Sequence, residues 1–144
     1  KRADTLSFGV GDGCSLMLEL GLIAPDHSST PQISSNDSGK FESAFVGVTI
    51  PENQSVMLGS LSNSQLGAWI SHDQGKFEFP TTGDAWQVVA QYAYADYPAN
   101  PNGSGDAVAG ICSADGRISN ADYSHGSGHI IRQIEEKATR LPLG

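Results

Sequence analysis

The chain is poor in basic residues: eight Lys and Arg stand against sixteen Asp and Glu, for a net charge of −8. That balance repels phosphate backbones and anionic lipid headgroups, and so excludes nucleic acid as an expected partner. No stretch approaches the 18 or so apolar residues that a membrane-spanning helix needs, so no span is expected here. A charged-then-apolar leader is also missing, and the chain reads as a mature or truncated piece. Neither of the glycine-rich phosphate loops, G-x-x-x-x-G-K-[ST] and G-x-G-x-x-G, occurs, nor does G-x-S-x-G. Charged residues make up only 17% of the chain, and Ser, Asn, Thr, Gln and 17 glycines supply the polar remainder. A surface of that kind predicts an extracytoplasmic location: extracellular, cell-surface or periplasmic.

Cysteine is almost absent. The two that occur, Cys14 and Cys112, are read in three ways. In an extracytoplasmic protein they form a disulfide, closing a loop of about 100 residues worth roughly 4 to 5 kcal/mol in the chain-entropy model. Alternatively Cys14, near the start of a predicted helix in Gly11-Asp12-Gly13-Cys14-Ser15-Leu16, is a nucleophile whose pKa the helix dipole lowers. The third reading is two unpaired buried thiols. The leading expectation is the disulfide.

With 144 residues the chain is expected to be a single globular domain, residues 1–144, able to fold around its own core without a metal. Asp12 caps the first short helix, Gly21 suits its left-handed C-terminal position and Pro25 stops it. Residues 26–40 form a polar loop. Strand signals follow over Phe41–Ile50, and Thr49-x-x-Glu52 opens a predicted short helix within Pro51–Leu61. Leu66–Ser71 and Lys76–Pro80 flank Asp73-Gln74-Gly75 as a predicted hairpin. Ala85–Tyr94 is the longest strand, and Ala107–Ser113 pairs with Gly116–Ser119 across Ala114-Asp115-Gly116. Ile130, Ile134, Ala138 and Leu141 recur at helical spacing within Gly128–Leu143, which predicts a C-terminal amphipathic helix. The fold class expected is therefore α+β: an antiparallel β-sheet meander with a short N-terminal helix and a C-terminal amphipathic helix.

Three constellations bear on chemistry. Cys14 with His72, His125 or His129 as base fills the inventory of a Cys-His hydrolase, an inventory that most chains of this composition contain. His125 and His129 lie four apart with Asp122 and Tyr123 before them, but the glycines between them oppose a helix and no further ligand completes a zinc set. Asn100-x-Asn102-Gly103 imitates the middle of a calcium loop whose end positions, Pro98 and Ala109, cannot coordinate. No metal, cofactor or catalytic residue is therefore assigned. Binding residues are sought instead among aromatics and loop amides. Trp86, Tyr92 and Tyr94 share a strand face, Trp69 is a separate candidate, and Asn100 and Asn102 sit in the polar loop 95–106. This loop and residues 26–40 are expected to carry contact with a neighbouring subunit or ligand.

In order of elements the chain resembles the globular headgroup of a type IV pilin or pseudopilin without its N-terminal helix. The residues carrying that resemblance are Leu20-Gly21-Leu22-Ile23-Ala24-Pro25, Ser38-Gly39-Lys40-Phe41-Glu42-Ser43-Ala44-Phe45-Val46 and Gly110-Ile111-Cys112-Ser113-Ala114-Asp115-Gly116. The resemblance implies a filament subunit whose missing helix packs the fibre core. The function expected is thus a non-enzymatic, extracytoplasmic structural or adhesive subunit with a protein partner (self-assembly or a cell-surface protein) or a glycan. The alternatives are a secreted or periplasmic binding protein, lectin-like or an inhibitor, and a hydrolase using Cys14.

Overall fold

Apolar residues alternate along Glu42–Ile50, and the strand they form (here β3) buries Val46, Val48 and Ile50 on one side. Its partner β4, Ser64–His72, runs antiparallel in unbroken register from Glu42↔His72 to Ile50↔Ser64, adding Ala68 and Ile70 to the same apolar cluster. The computed structural model describes residues 4–25, 28–80 and 85–121. Within them the remaining strands are β1 (Ser7–Val10), β2 (Gln32–Ser35), β5 (Gln74–Glu78), β6 (Trp86–Tyr92), β7 (Val108–Ser113) and β8 (Ile118–Ala121), and the one α-helix, α1, spans Asp12–Glu19. Six strands form one sheet in the order β1-β8-β7-β6-β3-β4, and β2 and β5 form a second, two-stranded sheet.

This is not a meander. β1, from the start of the chain, lies parallel to β8, with Ser7 opposite Ile118 and Val10 opposite Ala121. Nor do the predicted hairpin strands pair with each other: β4 joins β3, while β5 joins β2 in the small sheet. Only Asp73 separates β4 from β5, too little for a two-residue hairpin turn, and Phe77 of β5 is drawn into an apolar cluster with Leu18 and Ile23. The predicted helix in Pro51–Leu61 shrinks to one 3-10 turn, Gly59–Leu61. The Ser55 hydroxyl accepts the backbone N–H groups of Met57 and Leu58 as an N-cap does, and the turn it opens runs only to Leu61. The β7–β8 hairpin is as expected, with Gly116 at φ +70° in its turn. The expected C-terminal helix, Gly128–Leu143, lies outside the described residues.

Helix α1 ends as its sequence indicates. Leu22 N–H donates to Met17 O and Gly21 N–H to Leu18 O, at 3.0 and 2.9 Å, with Gly21 at φ +66°: a Schellman motif. Its start differs, because Gly11 and not Asp12 is the N-cap, and no side chain caps it.

The disulfide is corrected as well. Cys14 and Cys112 are both buried, and no disulfide joins them. Cys14 packs with Leu18, Ile23, Phe77, Val108 and Ile111, whereas Cys112 belongs to the cluster of Val46, Val48 and Ile70. Two thiols committed to different apolar clusters are not positioned to bond.

Candidate functional site

The sequence Gly9-Val10-Gly11-Asp12-Gly13 carries β1 directly into α1. Gly11, at φ 56° and ψ −125°, makes the turn in one residue, in a backbone conformation that L-residues rarely adopt. Cys14 N–H returns to Gly11 O at 2.8 Å. Strand and helix approach so closely that a Cβ on Gly9 would sit 2.7 Å from Gly13 O, 2.8 Å from Asn120 Oδ1 and 2.9 Å from Met17 Sδ. Asn120, on neighbouring β8, is wholly buried, and its Nδ2 donates to Cys14 O at 3.1 Å. Its Oδ1 is buried against Gly9 with no hydrogen-bond partner. A sharp strand-to-helix elbow of this kind is the device by which hydrolases hold a nucleophile above the end of a sheet, at the positive end of a helix. Beside it lies an open cleft of about 510 Å³, lined by Phe8, Gly9, Val10, Asp12, Gly13 and Met17 among others.

Cys14, the nucleophile of the hydrolase alternative, is the third residue of α1 and has no exposed surface. It is one face away from the cleft. His72 ends β4, at the edge of the main sheet opposite β1, so the described fold does not bring it to Cys14. His125 and His129 lie outside the described residues. Burial, helped by the charge of Asp115, pushes the Cys112 thiol up from 9.0 to about 11, which keeps it protonated and unreactive near neutral pH.

The binding candidates separate. Tyr92 is buried, and its hydroxyl accepts Asn102 Nδ2 at 2.7 Å; the same amide donates to Gly75 O at 2.9 Å. Asn100 is also buried, and its Nδ2 donates to Ala95 O and Ser104 O. Trp86 stacks on Phe79, ring centroids 6.0 Å apart. A shift of register between Val88 and Gln91 breaks the alternation that placed Trp86 and Tyr92 on one face. Trp69 and Tyr94 are exposed, and Trp69 packs on Phe45 with ring centroids 5.2 Å apart. The two polar loops do meet. Asp37 N–H donates to Asn102 O at 3.1 Å, and Asp37, Lys40, Asp96, Tyr97 and Gly103 help to line an open cleft of about 680 Å³.

Comparison with known proteins decides the family. The model of the CobB/CobQ-like glutamine amidotransferase domain matches residues 1–122. The chain belongs to that family. Similar curated proteins are the probable phosphoribosylformylglycinamidine synthase of Caenorhabditis elegans, 39% identical over 137 residues, and its chloroplastic/mitochondrial counterpart in Arabidopsis thaliana, 38% identical over 135. The Drosophila melanogaster phosphoribosylformylglycinamidine synthase is 36% identical over 134 residues. In each case the match takes in 81% of this chain and 10% of the relative, so the chain spans about a tenth of the length of the curated relatives it matches. A solved structure of PurLQS from Thermotoga maritima has the same fold, with a TM-score of 0.70 at 19% identity, over 92% of this chain and 61% of that one.

Membership of an amidotransferase family overturns the pilin resemblance and, with it, the non-enzymatic filament or adhesive subunit. The pilin echoes were helix exits, loops and hairpins that many folds share. The secreted or cell-surface location falls too: the Arabidopsis relative is described as chloroplastic/mitochondrial and none of the three as extracellular. A low charge content describes a surface and not a compartment, and without a disulfide between Cys14 and Cys112 the support such a bond would have lent is removed. Nothing in these relatives speaks for a glycan. In the amidotransferase domain the informative residues are Gly9, Gly11 and Asn120, which sequence reasoning passed over. The available signal was the glycine at alternate positions just before the helix.

Proposed function

We propose that this chain is the amidotransferase-type domain of a larger protein resembling phosphoribosylformylglycinamidine synthase, working against the remainder of that protein at the nitrogen-supplying step of amidine formation. The family match over residues 1–122, together with the similarity to three such synthases, carries this reading. An amidine carries nitrogen where the parent amide carried oxygen, so its formation needs a nucleophile equivalent to ammonia. A domain of the glutamine amidotransferase family sits naturally at that step. The protein partner in this reading is the synthase portion itself; the solved PurLQS assembly has the same fold in one of its chains.

The test uses the full-length protein with phosphoribosylformylglycinamide, ATP and Mg²⁺ to activate the amide oxygen as a phosphate leaving group, and ¹⁵N-labelled ammonium chloride. The label is expected in the amidine. Absence of product with both ammonium chloride and glutamine as donors would reject the reading.

A further inference from the structure

An amidotransferase that works through a covalent intermediate needs a nucleophile at the tip of its elbow. There the strained turn exposes the side chain, and the helix N-terminus favours its anionic form. A thiolate in that position would bond to the side-chain amide carbon of glutamine. The C–N bond would break, with nitrogen leaving as ammonia after taking up a proton, and water would then cleave the thioester to glutamate and free thiol. Here the tip is Gly11, which has no side chain. Among the described residues, none that lines the adjoining cleft is Cys, Ser, Thr or His.

Cys14 does not take over that role. It is three residues beyond the tip, fully buried, and packed with Leu18, Phe77 and Ile111. Cleft-lining Gly13 and Met17 stand four apart and so share a face of the helix, while Cys14 is turned about 100° from Gly13. The elbow is nevertheless kept intact. Gly9 is held to a close approach that any Cβ would disrupt, and Asn120 ties β8 to the first turn of the helix while leaving its buried Oδ1 unpartnered against Gly9.

We infer that Gly11 stands where this architecture requires its nucleophile, so that the domain does not release ammonia from glutamine and the larger protein takes its nitrogen as free ammonia. This rests on the synthase-like reading for its nitrogen acceptor, and the experiments separate the two. The full-length protein is incubated with glutamine alone and glutamate is measured. No release above the enzyme-free blank is expected, while ammonium chloride supports amidine formation. Glutamate release by the wild-type protein would overturn the inference, and a Cys14→Ser variant would show whether Cys14 carries it. Amidine formed from glutamine would overturn the inference alone; amidine from neither donor would overturn the synthase reading, with the glutamate measurement still deciding the inference. In a Gly11→Cys variant, iodoacetamide is expected to label residue 11 at least about tenfold faster than Cys14 or Cys112, as peptide mass spectrometry would show. A thiol at residue 11 that reacts no faster than Cys14 would overturn the placement of the elbow tip.

Discussion

The elbow between β1 and α1 and the joined loops around Asn102 are both tightly built, but by opposite means. At the elbow, shape comes from glycine: backbone passes within a Cβ radius of backbone at Gly9, and Gly11 turns in a single residue. At the loops, shape comes from buried amides, with Asn100 and Asn102 each giving two hydrogen bonds to fix the turns around them. The loop region is rich in the residue types that suggest binding, yet those two side chains are consumed in holding the chain. The elbow carries no reactive side chain at its tip, yet has the backbone geometry that chemistry uses. Residue type alone is therefore a poor guide to function, because a polar group becomes available only after the fold's own hydrogen bonds have been met.

The comparison can be broken most sharply at Gly9. Gly9→Ala pushes a methyl group into Gly13 O, a backbone atom that cannot swing aside, and is expected to cost about 3 kcal/mol or more. Chemical denaturation would check it, and a loss below about 1 kcal/mol would show that the elbow yields. Next is Asn102→Ala, which removes the donor from Gly75 O and Tyr92 Oη inside the fold. About 2 kcal/mol of destabilisation is expected, and a Tyr92→Phe change made on top of it should cost less than the same change in the wild type. Full additivity would mean that the amide and the hydroxyl act separately.

A third test concerns Cys112, which lies between the two regions on β7. Its folded pKa is raised to about 11 from 9.0, so above pH 9 the unfolded chain loses this proton before the folded one does. Its contribution to stability is thus complete below about pH 9 and is lost as pH climbs towards about 11. The effect is expected to be on the order of 1 kcal/mol after allowance for solvent screening. Urea titrations at pH 8 and pH 10.5 should show a drop that Cys112→Ala reduces. The smallest effect belongs to a control remote from both regions. Phe45, exposed against Trp69 and lying over Gly67 on β4, should cost only about 0.5 kcal/mol when changed to alanine, read from the urea midpoint.

Much of the local structure could be read from the chain. Glu42–Ile50 alternates as a half-buried strand must, Gly21 terminates its helix in a Schellman motif, and Ala114-Asp115-Gly116 makes the hairpin it implies. These features depend on near neighbours, whose sterics and hydrogen bonds are fixed by the residues themselves. The elbow's glycines were equally visible, but their meaning was not, because a glycine shows its purpose only once the atoms it must admit are in place.

What the sequence determined by itself, then, was the set of short-range elements and an acidic, cysteine-poor composition. Tertiary structure alone decided the rest. Ser7–Val10 is too short to signal a strand, and it becomes one only beside β8, more than a hundred residues later in the chain. Asp73 reads as a turn between partners, but β5 turns away to β2 because Phe77 is buried among Leu18 and Ile23. Cys14 and Cys112 look like a pair until the fold commits them to different apolar clusters. Long-range pairings of this kind follow from total burial and closure of the whole chain, quantities that no local window contains.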